Sequence, residues 1–345
     1  MRALLVLVAL LLSVHVGLLL LRPAGSSEQV GHGPRVGIVF DMGGRGDKSF
    51  NDGAYVGAMR AVAQLGAQVR FVEPGEGSDR EAGLRLLAAE GMDLVLGVGF
   101  IFSDDLMELA VEYPQTAFAG IDFAVPTGND GKPVTLPKNL AALKFREEQG
   151  SYLMGALAAL SSPNKKIGFV GGMDTPLIHK FEVGYKAGAK RVCPECEVVI
   201  QYAGVTPEAF RNPGKGKELG LSQYQHGVDI IYHAAGSTGL GVFEAARAMK
   251  KRAIGVDSDQ WAEAPGVVMT SMVKQVDTVV YEAVAQVKAK QFSGGMHQFG
   301  LAEGGVGYVY DDHNRGDIDP QVRKQVEELK ALIIAGQIAV PSERR

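Results

Sequence analysis

From Val36 onward, short apolar runs alternate with longer amphipathic stretches almost to the C-terminus. Runs at 36–40, 69–72, 93–99, 116–122 and 139–145 are mostly apolar and read as buried strands. Between them lie stretches with helical spacing, such as Leu84, Leu87 and Ala88, or Tyr152, Leu153, Ala156 and Leu160. A second round begins at 166–172 and continues through runs at 197–203, 228–235, 252–257 and 267–273, with a last helix over 320–335. Strands alternating with helices predict parallel sheets covered on both faces. Two rounds predict two doubly wound α/β lobes. A chain of 345 residues, 46% hydrophobic, is long enough to fill two such cores. Its formal net charge of −4 gives no electrostatic case for nucleic acid as a partner.

The first residues read as a targeting segment. Arg2 precedes an almost wholly apolar run over 4–21, broken only by Ser13, His15 and Gly17. The small residues Ala24, Gly25 and Ser26 suit signal-peptidase cleavage near Ser26. The run is also long enough for an uncleaved membrane anchor over 1–26. No cysteine lies here to carry a lipid. Either outcome places the remainder in the periplasm or otherwise outside the cytoplasm.

The only cysteines, Cys193 and Cys196, are spaced CPEC. A thioredoxin-type motif follows a strand and opens a helix. This one follows a helical stretch and precedes a strand, which points to a local disulfide. Two thiols are too few for a structural zinc site.

The stretch VGIVFDMGGRGDKSFND, 36–52, carries the first site residues. Its apolar run stops at Asp41, a glycine-rich turn follows, and Ser49 with Asp52 has the spacing of a helix capping box. Val56, Met59 and Ala63 then repeat at helical spacing, so a strand feeds a loop that feeds a helix. Ligands of open α/β sheets sit at such strand-to-helix junctions. Here Asp41, Phe50 and Asn51 offer a carboxylate, a ring and an amide, which suit a flat molecule with a polar edge. Asp122 and Asp257 also end apolar runs, and Lys274 ends another; these groups converge if the lobes face each other. The competing role for such an aspartate is a helix N-cap. Asp259 reads as a solvated loop charge. Phe210 lies in a polar loop after a strand, where stacking on a ligand is a better use than core packing. The glycine turn matches neither GxGxxG nor a P-loop. His226, His233 and His297 are scattered, and no GxSxG or HExxH occurs, so no enzyme, cofactor or metal site is expected.

These blocks resemble the basic membrane protein (BMP/Med) family of ABC-transporter substrate-binding proteins, typified by purine nucleoside receptor lipoproteins. The resemblance runs from VGIVFDMGGRGDKSFNDGAYVG through FAGID, GFVGGMDTPLIHKFEVGYKAGAK, NPGKGKE, YHAAGSTGLGVFEAA, AIGVDSDQ, TSMVKQVD and GGVGY. It implies a type I periplasmic binding protein, with lobes at 34–146 plus 274–303 and 147–273 plus 304–345, joined by a three-stranded hinge. It implies that Phe50 and Phe210 clamp a base, although residues 206–209 are extra here. Asp122 would meet the polar edge of a purine, with Asp41 and Asn51 beside it. Asp257 would accept from ribose hydroxyls, with Lys274 and the Gly236 backbone nearby. The family's lipobox cysteine has no counterpart. The function implied is an exported, monomeric nucleoside receptor serving an ABC permease. An uncleaved N-terminus would also suit a membrane-anchored sensory module, and a nucleoside-processing enzyme is the third reading.

Overall fold

A computed structural model describes residues 33–73, 79–128 and 131–344. The targeting segment at 1–26 lies outside the described residues.

The first lobe begins with β1 (Arg35–Val39), α1 (Phe50–Leu65), β2 (Gln68–Val72), α2 (Asp79–Ala89), β3 (Leu94–Val98), α3 (Ser103–Glu112), β4 (Ala117–Ile121) and β5 (Leu140–Phe145). There follow α4 (Glu147–Ser161), β6 (Lys166–Met173), α5 (Pro176–Val192), β7 (Glu197–Gly204), α6 (Pro213–Gln225), β8 (Ile230–Ala234), α7 (Thr238–Met249), β9 (Arg252–Asp257) and β10 (Val268–Lys274). The chain ends with α8 (Val276–Lys288), β11 (Gly295–Phe299), β12 (Val306–Tyr308) and α9 (Pro320–Ile334).

Two six-stranded sheets result, ordered β11-β5-β4-β3-β1-β2 and β12-β10-β9-β8-β6-β7. All pairs are parallel except β10 with β12, where Val273 faces Gly307 antiparallel. The central strands are apolar because helices cover both faces: all five residues of β3 and of β8 are buried. The chain passes between the sheets after β5, after β10 and between β11 and β12, and these three crossings form the hinge.

Two helix faces differ from the periodicity. In α1, Val56 and Met59 are 55% and 39% exposed. The buried face is Ala54, Gly57, Ala58 and Ala61. It must be small because α8 crosses so close that a Cβ at Gly57 would lie 2.2 Å from the Asp277 carbonyl oxygen. In α4, burial extends round the whole helix from Glu147 to Ala159. A Cβ at Gly155 would lie 1.8 Å from the Tyr185 carbonyl of α5. The two helices therefore touch backbone to backbone, which glycine alone permits.

Cys193 and Cys196 form a disulfide in the turn between α5 and β7. Lys190 Nζ donates to the carbonyls of Pro194 and Cys196 at 2.8 and 2.6 Å and holds the same turn. The C-terminal tail returns to the second lobe, where Arg344 pairs with Glu182 and Asp174.

Candidate functional site

The β1–α1 loop is wired by Asp47. Its carboxylate accepts from the backbone N–H of Ser49 (2.9 Å), Asn51 (2.9 Å) and Asp52 (3.1 Å). Asp47 thus caps α1, and the Ser49–Asp52 box read from spacing does not form; Ser49 makes no side-chain cap bond. Asp47 wins because it meets three free donors of the first turn with one anion. Asp52 instead accepts from the N–H of Gly46 and Lys48. Ser49 Oγ is released to cross the cleft and donates to Asp257 Oδ2 at 2.5 Å.

Asn51 Nδ2 donates to Asp41 Oδ1 (2.7 Å) and Asp47 Oδ2 (3.0 Å). With two carboxylates on one side, only its NH₂ group can face them. Its Oδ1 is therefore turned the other way, buried and without a partner. Asp41 also accepts from Gly43 N–H at 2.8 Å. Burial pushes its carboxyl up to about 7, helped by the charge of Asp47 and opposed by the Asn51 and Gly43 bonds.

Asp122 and Asp257 follow or end β4 and β9 with left-handed backbones, φ 59° and 66°. Aspartate tolerates that region better than most residues. Asp122 Oδ2 accepts from Lys274 Nζ at 2.5 Å, and its Oδ1 is buried without a partner. The Lys274 ammonium also lies 3.2 Å from Glu147 Oε1. It sits 4.9, 5.0 and 5.7 Å from the ring centres of Phe50, Phe145 and Phe181, a cation–π cage. Glu147 Oε2 in turn takes Lys180 Nζ at 2.5 Å. Burial opposes the Lys274 charge, but Asp122, Glu147 and Asp257 together raise its pKa. Burial likewise opposes the Glu147 charge and is outweighed by Lys180 and Lys274, so its pKa is lowered. Two ammonium groups thus face Asp122 and Glu147 inside the hinge, with Glu148 Oε2 a further 3.9 Å neighbour of Lys180, and Lys274 is committed to Asp122 and Glu147. Burial raises Asp257 to about 6, against the pull of Lys274 and the Ser49 bond.

The opposite wall belongs to the second lobe. Phe210 ends a short 3-10 turn, Pro207–Phe210, rather than lying in an open polar loop. Its ring packs on Gly172, where a Cβ would come within 2.4 Å of ring carbons. Thr238 Oγ1 donates to Ala209 O (2.7 Å) and Ser237 Oγ to Phe210 O (3.1 Å), which fix the turn. Gly236, at φ 54°, passes 3.1 Å from the Phe210 carbonyl measured to a hypothetical Cβ.

One cavity of about 560 Å³ of empty space, part of it open to solvent, lies between these walls. Asp41, Phe50, Asn51 and Asp122 line it from the first lobe. Phe210, Gly236 and Asp257 line it from the second lobe, and Lys274 lines it from the crossing at the end of β10. The structure thus brings together all eight residues singled out from the sequence. It adds Asp47, Phe100, Leu177, Ile178 and Phe181. The last three open α5, the helix after β6, just as Phe50 opens the helix after β1. That equivalence between the two rounds was the available signal.

The lobes also touch beside the cavity. Ser258 Oγ and Gln260 Nε2 both donate to the Lys48 carbonyl at 2.9 Å. Asp259 accepts from Trp261 N–H at 3.0 Å and caps a turn. His226 and His297 bond to carbonyls of Ser222 and Ser293. His233 is fully buried against Gln260, and burial lowers its pKa to about 4. Among the described residues no cluster could hold a metal, and no helix is long and apolar enough to cross a membrane.

Comparison with known proteins agrees with this architecture. The family described as ABC transporter substrate-binding protein PnrA-like (Bmp) matches residues 35–344. An ABC transporter nucleoside-binding protein BmpA of Lactococcus lactis is 31% identical, over 93% of this chain and 92% of its own length. An uncharacterized lipoprotein of Pyrococcus furiosus is 36% identical, over 82% of this chain and 72% of its own. The crystal structure of an ABC transporter solute-binding protein from Aeropyrum pernix superposes with a TM-score of 0.81 at 31% identity, covering 90% of this chain and 94% of that one. The two-lobed type I fold and the family match lead to one conclusion: this chain belongs to the PnrA-like (Bmp) family of ABC transporter substrate-binding proteins, whose role is binding and not bond chemistry.

Proposed function

We propose that this protein is an exported receptor that captures a purine nucleoside between its lobes and delivers it to an ABC permease. The observation that supports this most is the pairing of two phenylalanines with two orphaned acceptors in one cavity. Phe50 and Phe210 line it from different lobes, while Asn51 Oδ1 and Asp122 Oδ1 are buried there without partners. A base offers two faces to stack and an edge of N–H donors for those oxygens. Stacking contributes roughly 1–3 kcal/mol per ring. Asp257, accepting from ribose hydroxyls in place of Ser49, adds about 1.5–3 kcal/mol. After the entropy of closure, a dissociation constant of about micromolar or tighter follows.

The moving bodies in this reading are residues 34–146 with 274–303, and 147–273 with 304–345. A ligand bridging them favours the closed form by differential contact. The lipoprotein relative supports a place outside the cytoplasm. A monomer is the state expected of a receptor that docks on a permease.

Isothermal calorimetry tests the reading. Adenosine, guanosine or inosine should bind at about micromolar or tighter. AMP and GMP should bind roughly 100-fold more weakly, because Asp41, Asp47, Asp122 and Asp257 face only a lysine that is already paired. Nucleotides binding as tightly as nucleosides would overturn it.

A further inference from the structure

Beyond Asp122 the binding cavity meets a second, larger one of about 1210 Å³ of empty space, partly open to solvent. The two share Phe100, Asp122 and Leu177 as a common wall. Phe100 and Leu177 are partly exposed apolar side chains, which can swing aside for the cost of a rotamer change. The second cavity is lined by Lys144 of β5 and by Thr175 and Pro176 at the start of α5.

Two groups there lack the partners their chemistry calls for. Thr175 stands at the N-cap of α5 but makes no cap bond; it is only 8% exposed, and its Oγ1 is buried without a partner. Among the described residues the Lys144 side chain makes no hydrogen bond or ion pair. Its half-buried ammonium is depressed by burial and by the nearby charge of Lys180, against the weaker pull of Glu147 and Asp122. Lys180 itself is spent on Glu147 and on the Phe145 carbonyl at 2.7 Å. The N–H end of α5 adds a positive partial charge beside Thr175. The carboxylates of the same cavity do not cancel this. Asp122 and Glu147 are neutralised by Lys274 and Lys180, and Glu343 stands exposed among the lining residues.

We propose that this cavity is a substituent compartment: it takes a group carried on the base of a nucleoside held at Asp122, and Lys144 with Thr175 selects a substituent that ends in a carboxylate. The proposal rests on the nucleoside reading and on the base edge facing Asp122. A singly substituted exocyclic amine keeps one N–H for Asp122 Oδ1. Its substituent then passes between Phe100 and Leu177, and its anionic end reaches the unpaired ammonium. The ribose side of the cavity, lined by carboxylates, rejects an anion that this compartment accepts.

Calorimetry on the full chain with three probes tests this: adenosine, N6-threonylcarbamoyladenosine with a carboxylate end, and N6-isopentenyladenosine with an apolar end. The carboxylate probe should bind no more weakly than adenosine and about tenfold more tightly than the isopentenyl probe. Lys144→Gln should abolish that tenfold preference and leave adenosine binding unchanged; Thr175→Val should reduce it. Adenosine binding with both substituted probes rejected would remove the compartment. A preference that survives Lys144→Gln would remove the carboxylate selection. No binding of adenosine or any other nucleoside would instead overturn the nucleoside reading, and the compartment with it.

Discussion

β4 and β9 occupy the same place in their sheets, third from the β11 or β12 edge, and each leads into an aspartate with left-handed backbone, Asp122 and Asp257. There the likeness stops. Asp122 is held by a buried ammonium and belongs to a four-charge chain through the hinge. Asp257 is held by one hydroxyl, Ser49 Oγ, from the facing lobe. Repeated topology supplies equivalent positions, and the partner decides their use. One aspartate is part of the scaffold as well as the site. The other can exchange its partner for a ligand at little structural cost.

Removing the partner of the first should do the most damage. Lys274→Met leaves Asp122 and Glu147 buried with Lys180 alone, and should lower unfolding free energy by about 3–5 kcal/mol. Urea denaturation reads it. An equal loss from Ser49→Ala would erase the distinction between the two aspartates.

The next effect is on pH. Asp41 at about 7 and Asp257 at about 6 lie above an unfolded value near 4. Raised carboxyl pKa values favour the folded form while protonated, so their contribution is complete below about pH 4 and is lost as pH rises through 6 to 7. The ligand-free protein should therefore lose on the order of 2 kcal/mol per group between pH 5 and 8. Asp257→Asn should flatten the lower part of that decline in scanning calorimetry. Nucleoside affinity should move the opposite way, since N–H and O–H donors bind the ionised form. Asp257→Asn should also weaken binding roughly 10–100-fold at pH 8, with little change in denaturation midpoint at pH 5, where the aspartate is already protonated. The smallest effect belongs to the first lobe's outer surface: Val56→Gln or Met59→Gln should shift stability by no more than about 0.5 kcal/mol.

The alternation of strands and helices was legible because parallel strands buried on both faces must be apolar along their length. Aspartates at strand ends were legible for the same reason: the apolar run stops where the ligand edge begins. The inner face of α1 was not, because close crossing by α8 selects Gly57, Ala58 and Ala61 and leaves the larger Val56 and Met59 outside. The cap went to Asp47 because a carboxylate two residues before Ser49 reaches three N–H groups at once, which motif spacing does not register. Glu147 and Lys180 went unnoticed since their pairing depends on how α5 packs against the hinge. Phe210 was found, yet its 3-10 turn and its seat on Gly172 follow from contacts distant in sequence.

The Lys48 carbonyl, which takes Ser258 and Gln260 from the other lobe, has a consequence of its own. Every amino acid carries that oxygen, so exchanging the side chain at 48 leaves the bolt in place, provided the newcomer accepts φ 57° as glycine or asparagine does. One half of the fastening is thus written in the path of the main chain, and only its other half, at 258 and 260, is open to adjustment by mutation.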